Sequence, residues 1–415
     1  MSVPYELKVN NILNSLAVLW IVLSSGSMFF GQLNTGLSMM GLLIIGGLFL
    51  AEKSFVVVQG NIKRLLGLML FLILNVVITG IGNNRMNDFI IFVIRILTLC
   101  IMQSHIKRET FVDKFVNIIC GISVISLVCW GIGVIYTDFP YPFLFEVHTD
   151  SSHFYGTFYY TIGMNSGSRF GSSIGRNAGI FWEPGVYQIY LNLAIFFLLS
   201  FEKCSVKHKK LKFILLSITL VTTQSSMGYL IYMVLIIGLV FLNNPVLNSM
   251  NIKKLLIMAL IVVIPLVILE GSLVDKLLHG GGSFNTRYDD FVTTMQVFLE
   301  RPFLGLGSFS NLLEYVSINY ANSRLRVGQT ALTCSNGLAN IFATHGVFFA
   351  LYYIYRIFKY GKRTLDLRQK ETCLWALVVI MCLCNEPIVI VSFFLAFLFD
   401  WKVENEEEQY VENNC

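Results

Sequence analysis

FVNIICGISVISLVCWGIGVIY, Phe115 to Tyr136, runs for about 20 residues without a charge. Coiled as an α-helix at 1.5 Å per residue, that length crosses the roughly 30 Å hydrocarbon core of a bilayer. The stretch is apolar on every side rather than at a period of 3.6, so water is excluded as its surroundings. Outward from it in both directions, comparable runs stand near 12–31, 36–51, 65–82, 88–103, 185–201, 212–223, 227–242, 254–270, 334–355, 372–385 and 387–401. Composition agrees, with 55% of 415 residues hydrophobic and only 13% charged, about half the charge of an ordinary soluble domain. The sequence therefore predicts an all-α fold: a polytopic integral membrane protein, one transmembrane domain over 1–415 with about twelve helices.

Lys and Arg collect in cytoplasmic loops and set orientation. With the N-terminus inside, the inner connections hold Lys53, Lys63, Arg64, Lys107, Arg108 and Lys114, the cluster from Lys203 to Lys212, Lys253, Lys254, the stretch from Arg356 to Lys370, and Lys402. The outer segments hold Arg85, Arg169, Arg176, Lys276, Arg287, Arg301, Arg324 and Arg326, and Arg95 falls inside the fourth span, where a partner is expected. The net charge of +5 follows from this bias. No basic tract interleaved with aromatics points to nucleic acid. The first span follows Lys8 and lacks a small-residue exit, so it is expected to stay as an uncleaved anchor. Nine Cys without a C-x-x-C indicate neither a disulfide framework nor a metal site, and Cys382 and Cys384 stand too close in an apolar helix to be a metal pair.

Two outer segments are long, 137–184 and 271–333, and both are rich in aromatics such as Tyr155, Phe158, Tyr159 and Tyr160. Disordered linkers are poor in such residues. These extracytoplasmic loops are expected to fold as caps on the bundle, with short amphipathic interfacial helices. The second opens through glycines 280–282; Phe291, Met295, Phe298 and Leu299 then keep helical spacing until Gly305 and Gly307 break it.

The outer basic residues are arginines apart from Lys276. A guanidinium grips phosphate at two points and keeps its proton, so the bias suits a pyrophosphate group; removal of Lys by the inside rule is the plainer reading. The densest constellation is RNAGIFWEPG, 176–185. Arg176 and Glu183 bracket an apolar stretch ending in Trp182, beside which the carboxylate should be partly desolvated and suited to act as a base; an Arg176–Glu183 ion pair is the structural alternative. A second set joins Arg287, Tyr288, Asp289 and Asp290 to ERPFLGLG, 300–307, whose glycines let backbone N–H groups approach an anion. A third, SNGLANIFATHG at 335–346, puts Asn336 and His345 near hydrocarbon, where polar groups are functional or pair internally. TTQSSMG at 222–228 and Glu386 before Pro387 read as polar breaks or turns. Trp182, Ser225, Tyr288, Arg301, Arg324, Arg326 and Asn336 make up the candidate substrate-binding set, and Arg176, Glu183, Arg287 and His345 the catalytic one.

The order and spacing of RNAGIFWEPG, TQSSMGY, R-Y-D-D-F with ERPFLGLG, and SNGLANIFATHG resemble the bacterial O-antigen and capsule polysaccharide polymerases, which share a fold with the O-antigen ligases. The resemblance runs from the fifth span to the eleventh. It implies a polysaccharide polymerase acting on the outer face of the bacterial cytoplasmic membrane, where a glycan on undecaprenyl pyrophosphate is moved onto the terminal hydroxyl of a lipid-linked repeat. Arg176 and Arg287 then match the family's loop arginines and Glu183 its acidic loop residue. Ligases usually carry His-Asn where this chain has Ser335 and Asn336, which favours the polymerase and leaves the base open between Glu183 and His345. The implied partner is an undecaprenyl-pyrophosphate-linked oligosaccharide, with a chain-length regulator left open.

Displacing pyrophosphate from an anomeric carbon requires a base and fixed positive charge. Carboxylate and arginines supply both without cofactor or metal, and the outer loops contain no D-x-D triplet. A transporter of lipid-linked saccharide is the rival reading; such proteins show internal symmetry and charges along several spans, whereas here the charges gather in two loops. A non-enzymatic scaffold is the third.

Overall fold

The computed structural model describes residues 5–52, 58–80, 86–136, 141–149, 152–163, 175–201, 206–242, 282–307, 312–320 and 335–402. The chain is mostly helical. Five helices open it: α1 (Tyr5–Leu23), α2 (Thr35–Leu50), α3 (Gln59–Thr79), α4 (Met86–His105) and α5 (Arg108–Ile135). After a small sheet come α6 (Pro184–Ser200), α7 (Lys209–Thr222) and α8 (Ser226–Phe241); then α9 (Gly282–Glu300), α10 (Leu312–Asn319), α11 (Gly337–Lys359), α12 (Gln369–Asn385) and the single turn α13 (Ser392–Leu395). Among the described residues, α3, α4, α5 and the helix over 337–363 are long and apolar enough to cross a membrane, and several shorter helices are as apolar. The expected span at 254–270 lies outside the described residues.

One helix organises the bundle. In α6 every residue from Gly185 to Ser200 is buried, against α5, α7, α8 and α12, as an all-round apolar helix requires. The outer helices turn apolar side chains outward instead: Leu66, Leu70, Ile73, Leu74, Val77 and Ile78 of α3 are exposed, as are Met40, Leu43, Ile44 and Leu48 of α2. Apolar belts of that extent suit lipid and not water.

The helix ends gather at two poles. At the basic pole Arg108, Ser200, Leu365 and Arg368 line one small cavity, so the start of α5, the end of α6 and the α11–α12 connection meet there. Ion pairs lock this pole: Arg64 and Arg356 share Asp400 at 2.5 and 2.8 Å, His105 meets Glu52 at 2.8 Å, and Arg368 pairs with Glu371. At the opposite pole Gly185, Gly337 and Glu386 come together.

Two sequence expectations are corrected here. The fold is not purely helical, because the first long loop carries an antiparallel meander of β1 (Phe145–Thr149), β2 (Ser152–Gly156) and β3 (Thr161–Gly163), with Val147 opposite Phe154 and Tyr155 opposite Ile162. And 387–401 is not a membrane-spanning helix: past Pro387 the chain makes turns, α13 and a short 3₁₀ turn on its way from Glu386 to Lys402, which pairs with Lys107 at the basic pole. Phe393 through Phe399 are all buried. Non-helical backbone is tolerated at such depth only where protein satisfies it. Ser25 Oγ accepts from Phe393 N at 2.7 Å, Tyr353 Oη donates to Phe394 O at 3.0 Å, Gln103 Nε2 donates to Ala396 O at 2.7 Å, and Asn61 both donates to Asp400 O and accepts from Asp400 N. Arg95 finds its partner in the same segment, donating to Ile390 O at 3.3 Å.

Candidate functional site

The segment 175–183 is a strap across the pole opposite the basic one. Asn177 donates from its backbone to Thr222 O at 3.0 Å and from Nδ2 to Thr222 Oγ1 at 2.9 Å, while Arg176 Nε donates to Thr223 O at 3.2 Å. Further on, Met28 N donates to Ile180 O at 2.8 Å and Trp182 N to Gly26 O at 3.2 Å. Gly179 has φ +59, and a Cβ there would stand 2.8 Å from the Tyr187 ring, so only glycine lets the strap lie this low. RNAGIFWEPG and TTQSSMG, whose bonded residues stand 45 and 47 apart in the chain, are thereby bound into one surface.

The strap delivers Glu183 to the N-cap of α6, where Pro184 starts the helix with its fixed φ. The half-buried Trp182 turns its ring onto Gly26, within 3.0 Å of where a Cβ would sit. That leaves Glu183 exposed, so the expected shielding of the carboxylate by Trp182 is corrected. Its neighbour across Gly185 is a second carboxylate. A Cβ on Gly185 would lie 2.2 Å from Glu386 Oε1 and 3.7 Å from Glu183 Oε2, and one on Gly337 would lie 2.5 Å from Glu386 O. Glu386 is 3% exposed, with Oε1 accepting from Asn385 Nδ2 at 3.0 Å. In the sequence its only signal is the Asn-Glu-Pro helix stop at 385–387.

Ser225 and Asn336 are helix caps. Ser225 Oγ accepts from Gly228 N at 3.3 Å to open α8, and Asn336 Oδ1 accepts from Ala339 N at 2.9 Å to open α11. Gly228 rests on Gln188 of α6, and Asn192 Nδ2 donates to Gly228 O at 3.1 Å. The starts of α6, α8 and α11 therefore share this pole, each with a positive partial charge at its N-terminus.

The second loop docks on the same helix start. Asp290 of α9, 1% exposed, accepts at Oδ2 from Ser335 Oγ at 3.1 Å and from Ser335 N at 3.3 Å. R-Y-D-D-F and SNGLANIFATHG are thus brought together. Tyr288 is exposed; Arg287 stands one turn before Asp290 on α9, and its side chain lies outside the described residues, as do Arg324 and Arg326. Arg301 is exposed above the Tyr315 ring, 5.9 Å from its centroid. Beside it Tyr320 and Tyr315 both donate to Glu300, which holds that carboxyl below its usual range, Tyr320 contributing most.

The glycines of ERPFLGLG have a different task from the expected anion cradle. Gly305 and Gly307 adopt φ +68 and +114, and their N–H groups donate to Arg301 O at 3.0 Å and Thr344 O at 3.1 Å. Leu306 N donates to Ala343 O at 2.8 Å, and Val347 N donates back to Pro302 O at 2.8 Å. The turn plugs a break in α11 at Gly346: the Leu306 and Gly307 N–H groups are spent on the broken helix, and that of Gly305 closes the turn on itself. His345, next to that break, is 4% exposed; its Nδ1 lies 2.7 Å from Thr344 Oγ1 and its ring stacks on Phe349 at 4.8 Å.

No family model matches the chain, and no curated protein matches it.

Proposed function

We propose that the chain is a polysaccharide polymerase of the bacterial cytoplasmic membrane, with the pole carrying the strap facing outward. The observation that carries this reading is the convergence of four separate stretches, 176–185, 222–228, 287–290 and 335–337, on one pole of an apolar bundle, with Arg176 and Glu183 held on one rigid strap.

In the proposed reaction the terminal hydroxyl of a lipid-linked repeat attacks the anomeric carbon of the glycan donor. The new C–O bond forms as the bond to undecaprenyl pyrophosphate breaks, and the hydroxyl proton passes to Glu183. Arg176, Arg287 and the N-termini of α6, α8 and α11 oppose the charge gathering on the leaving group. Glu183 suits the base role better than His345: it is exposed at the pole, whereas His345 lies against Phe349 under the 302–307 turn. Trp182 and Tyr288 offer aromatic faces to sugar rings.

The test is reconstitution of the purified protein in proteoliposomes with undecaprenyl-pyrophosphate-linked repeats. A ladder of lengthening glycans is expected. Transfer of single repeats to another lipid acceptor, or movement of unaltered substrate across the bilayer, would replace the polymerase with a ligase or a transporter.

A further inference from the structure

Between α3 and α11, toward the basic pole, the bundle leaves a cleft of about 410 Å³. Phe71 and Phe348 form its apolar walls, Gly67 leaves room on the α3 side, and Lys63, Arg64 and Tyr352 stand at its basic end. The neighbouring face of α3 exposes Leu66 and Leu70, so the cleft opens beside a lipid-facing surface.

Among the described residues the charge at that end is unbalanced. Arg64 and Arg356 share the single carboxylate of Asp400, and the exposed Lys63 adds a third cation. Arg356, one turn beyond Tyr352, is 1% exposed, and its Nε and Nη1 are buried without a hydrogen-bond partner among the described residues. Unpaired buried guanidinium donors are costly, and an anion nearby lowers that cost.

We propose that this cleft binds an anionic phospholipid from the leaflet at the basic pole, with its phosphate against Lys63 and Arg64 and an acyl chain along Phe71 and Phe348. Basic pockets between membrane helices bind acidic headgroups by this combination of charge and apolar wall. A zwitterionic lipid would leave the surplus charge unanswered, and a free phosphate would leave the walls unused. The inference rests on the membrane reading of the bundle and is independent of glycosyl transfer.

The test uses the full-length protein in detergent, with melting temperature and native mass spectrometry read after addition of phosphatidylglycerol, phosphatidylcholine of the same chains, or inorganic phosphate. Phosphatidylglycerol should raise the melting temperature and stay bound. Lys63→Ala should weaken that binding about fivefold, the worth of one basic residue near an acidic lipid. Gly67→Leu should abolish it without lowering the lipid-free melting temperature, because a Cβ at 67 meets no atom within 4 Å and leucine is a better helix former. Equal stabilisation by phosphatidylcholine, full stabilisation by phosphate alone, or undiminished lipid retention in Gly67→Leu would overturn the assignment.

Discussion

Replacing Gly346 by alanine tests whether the 302–307 turn is built into the helix break of α11. Gly346 has φ +76 and ψ 179, a region open essentially to glycine alone, where another residue costs about 1–3 kcal/mol. An alanine Cβ would stand 2.1 Å from Phe303 O and 2.6 Å from Leu304 N. Both are backbone atoms and cannot rotate aside, so the turn must withdraw. Withdrawal breaks the hydrogen bonds Val347 N to Pro302 O, Leu306 N to Ala343 O and Gly307 N to Thr344 O, each worth about 0.5–1.5 kcal/mol net. The total, about 2.5–7.5 kcal/mol, is a large share of the roughly 5–15 kcal/mol that holds a typical domain folded. Gly121 in α5 is the control, since a Cβ there meets nothing within 4 Å and alanine should add about 0.5–1 kcal/mol of helix stability. The buried free thiols Cys100, Cys120, Cys129 and Cys382 report unfolding through a thiol-reactive dye during a thermal ramp. Gly346→Ala should melt well below wild type and Gly121→Ala at or above it. Equal melting of the two variants would falsify the plug.

Glu183→Gln should cut turnover by about 10² to 10⁴ if the carboxylate is the base, with binding of lipid-linked saccharide retained; residual turnover above about a tenth of wild type would remove it from that role and pass the role to His345. With Glu183 as the base, His345→Ala should lower stability more than turnover, as read from melting curves and glycan ladders on one preparation. Arg287→Lys keeps the charge and loses the planar two-point contact, so polymer length should collapse at normal protein levels; normal polymer would make Arg287 an ordinary surface charge. The Tyr320 and Tyr315 hydrogen bonds hold the Glu300 carboxyl below its usual range, so they stabilise the α9–α10 corner above the ordinary glutamate pKa of about 4.3, and that contribution is lost as pH falls through the depressed value. Proteolysis near Arg301 should therefore rise at low pH in wild type, and a Tyr320→Phe variant should flatten that dependence.

What was legible in the sequence followed from local chemistry. Pro184 and Gly185 after a charged residue mark the start of α6, and Ser225 and Asn336 precede apolar runs as capping residues do. The helices from α2 to α8, and α11 and α12, lie close to the predicted apolar runs because hydropathy reports burial in lipid or protein alike, whereas the run at 12–31 outlasts α1, which ends at Leu23 before a turn and the π-helical turn Met28–Leu33. That indifference misleads at 387–401, where a segment buried from Ser392 to Phe399 is as apolar as a span but is kept irregular by Pro387 and satisfied by Ser25, Gln103, Asn61 and Tyr353. The meander hid in the same way. Phe145 and Val147 alternate as a strand should, yet the aromatic richness of 137–184 reads equally as an interfacial belt. What settles the register includes the Phe145 ring packing 3.0 Å from the Cβ position of Gly156, a contact made across the hairpin.

Glu386 shows why the centre of the site was harder to read than its rim. A carboxylate only 3% exposed is costly unless positive groups surround it. The starts of α6 and α11 supply partial positive charge, and both come within contact because residues 185 and 337 lack side chains: alanine at either would strike Glu386 at 2.2 or 2.5 Å. Neither glycine announces this locally, since a helix start accepts glycine for several reasons. The constraint joins three positions spread over 200 residues. It also fixes how far apart Glu183, on the α6 start, and Asn336, on the α11 start, can stand. A protein that only needed two helices to begin at one pole could separate them with alanine and a neutral residue at 386. Keeping the acid and both glycines holds a buried carboxylate beside an exposed one, and in the proposed reaction the exposed one, Glu183, is the proton acceptor.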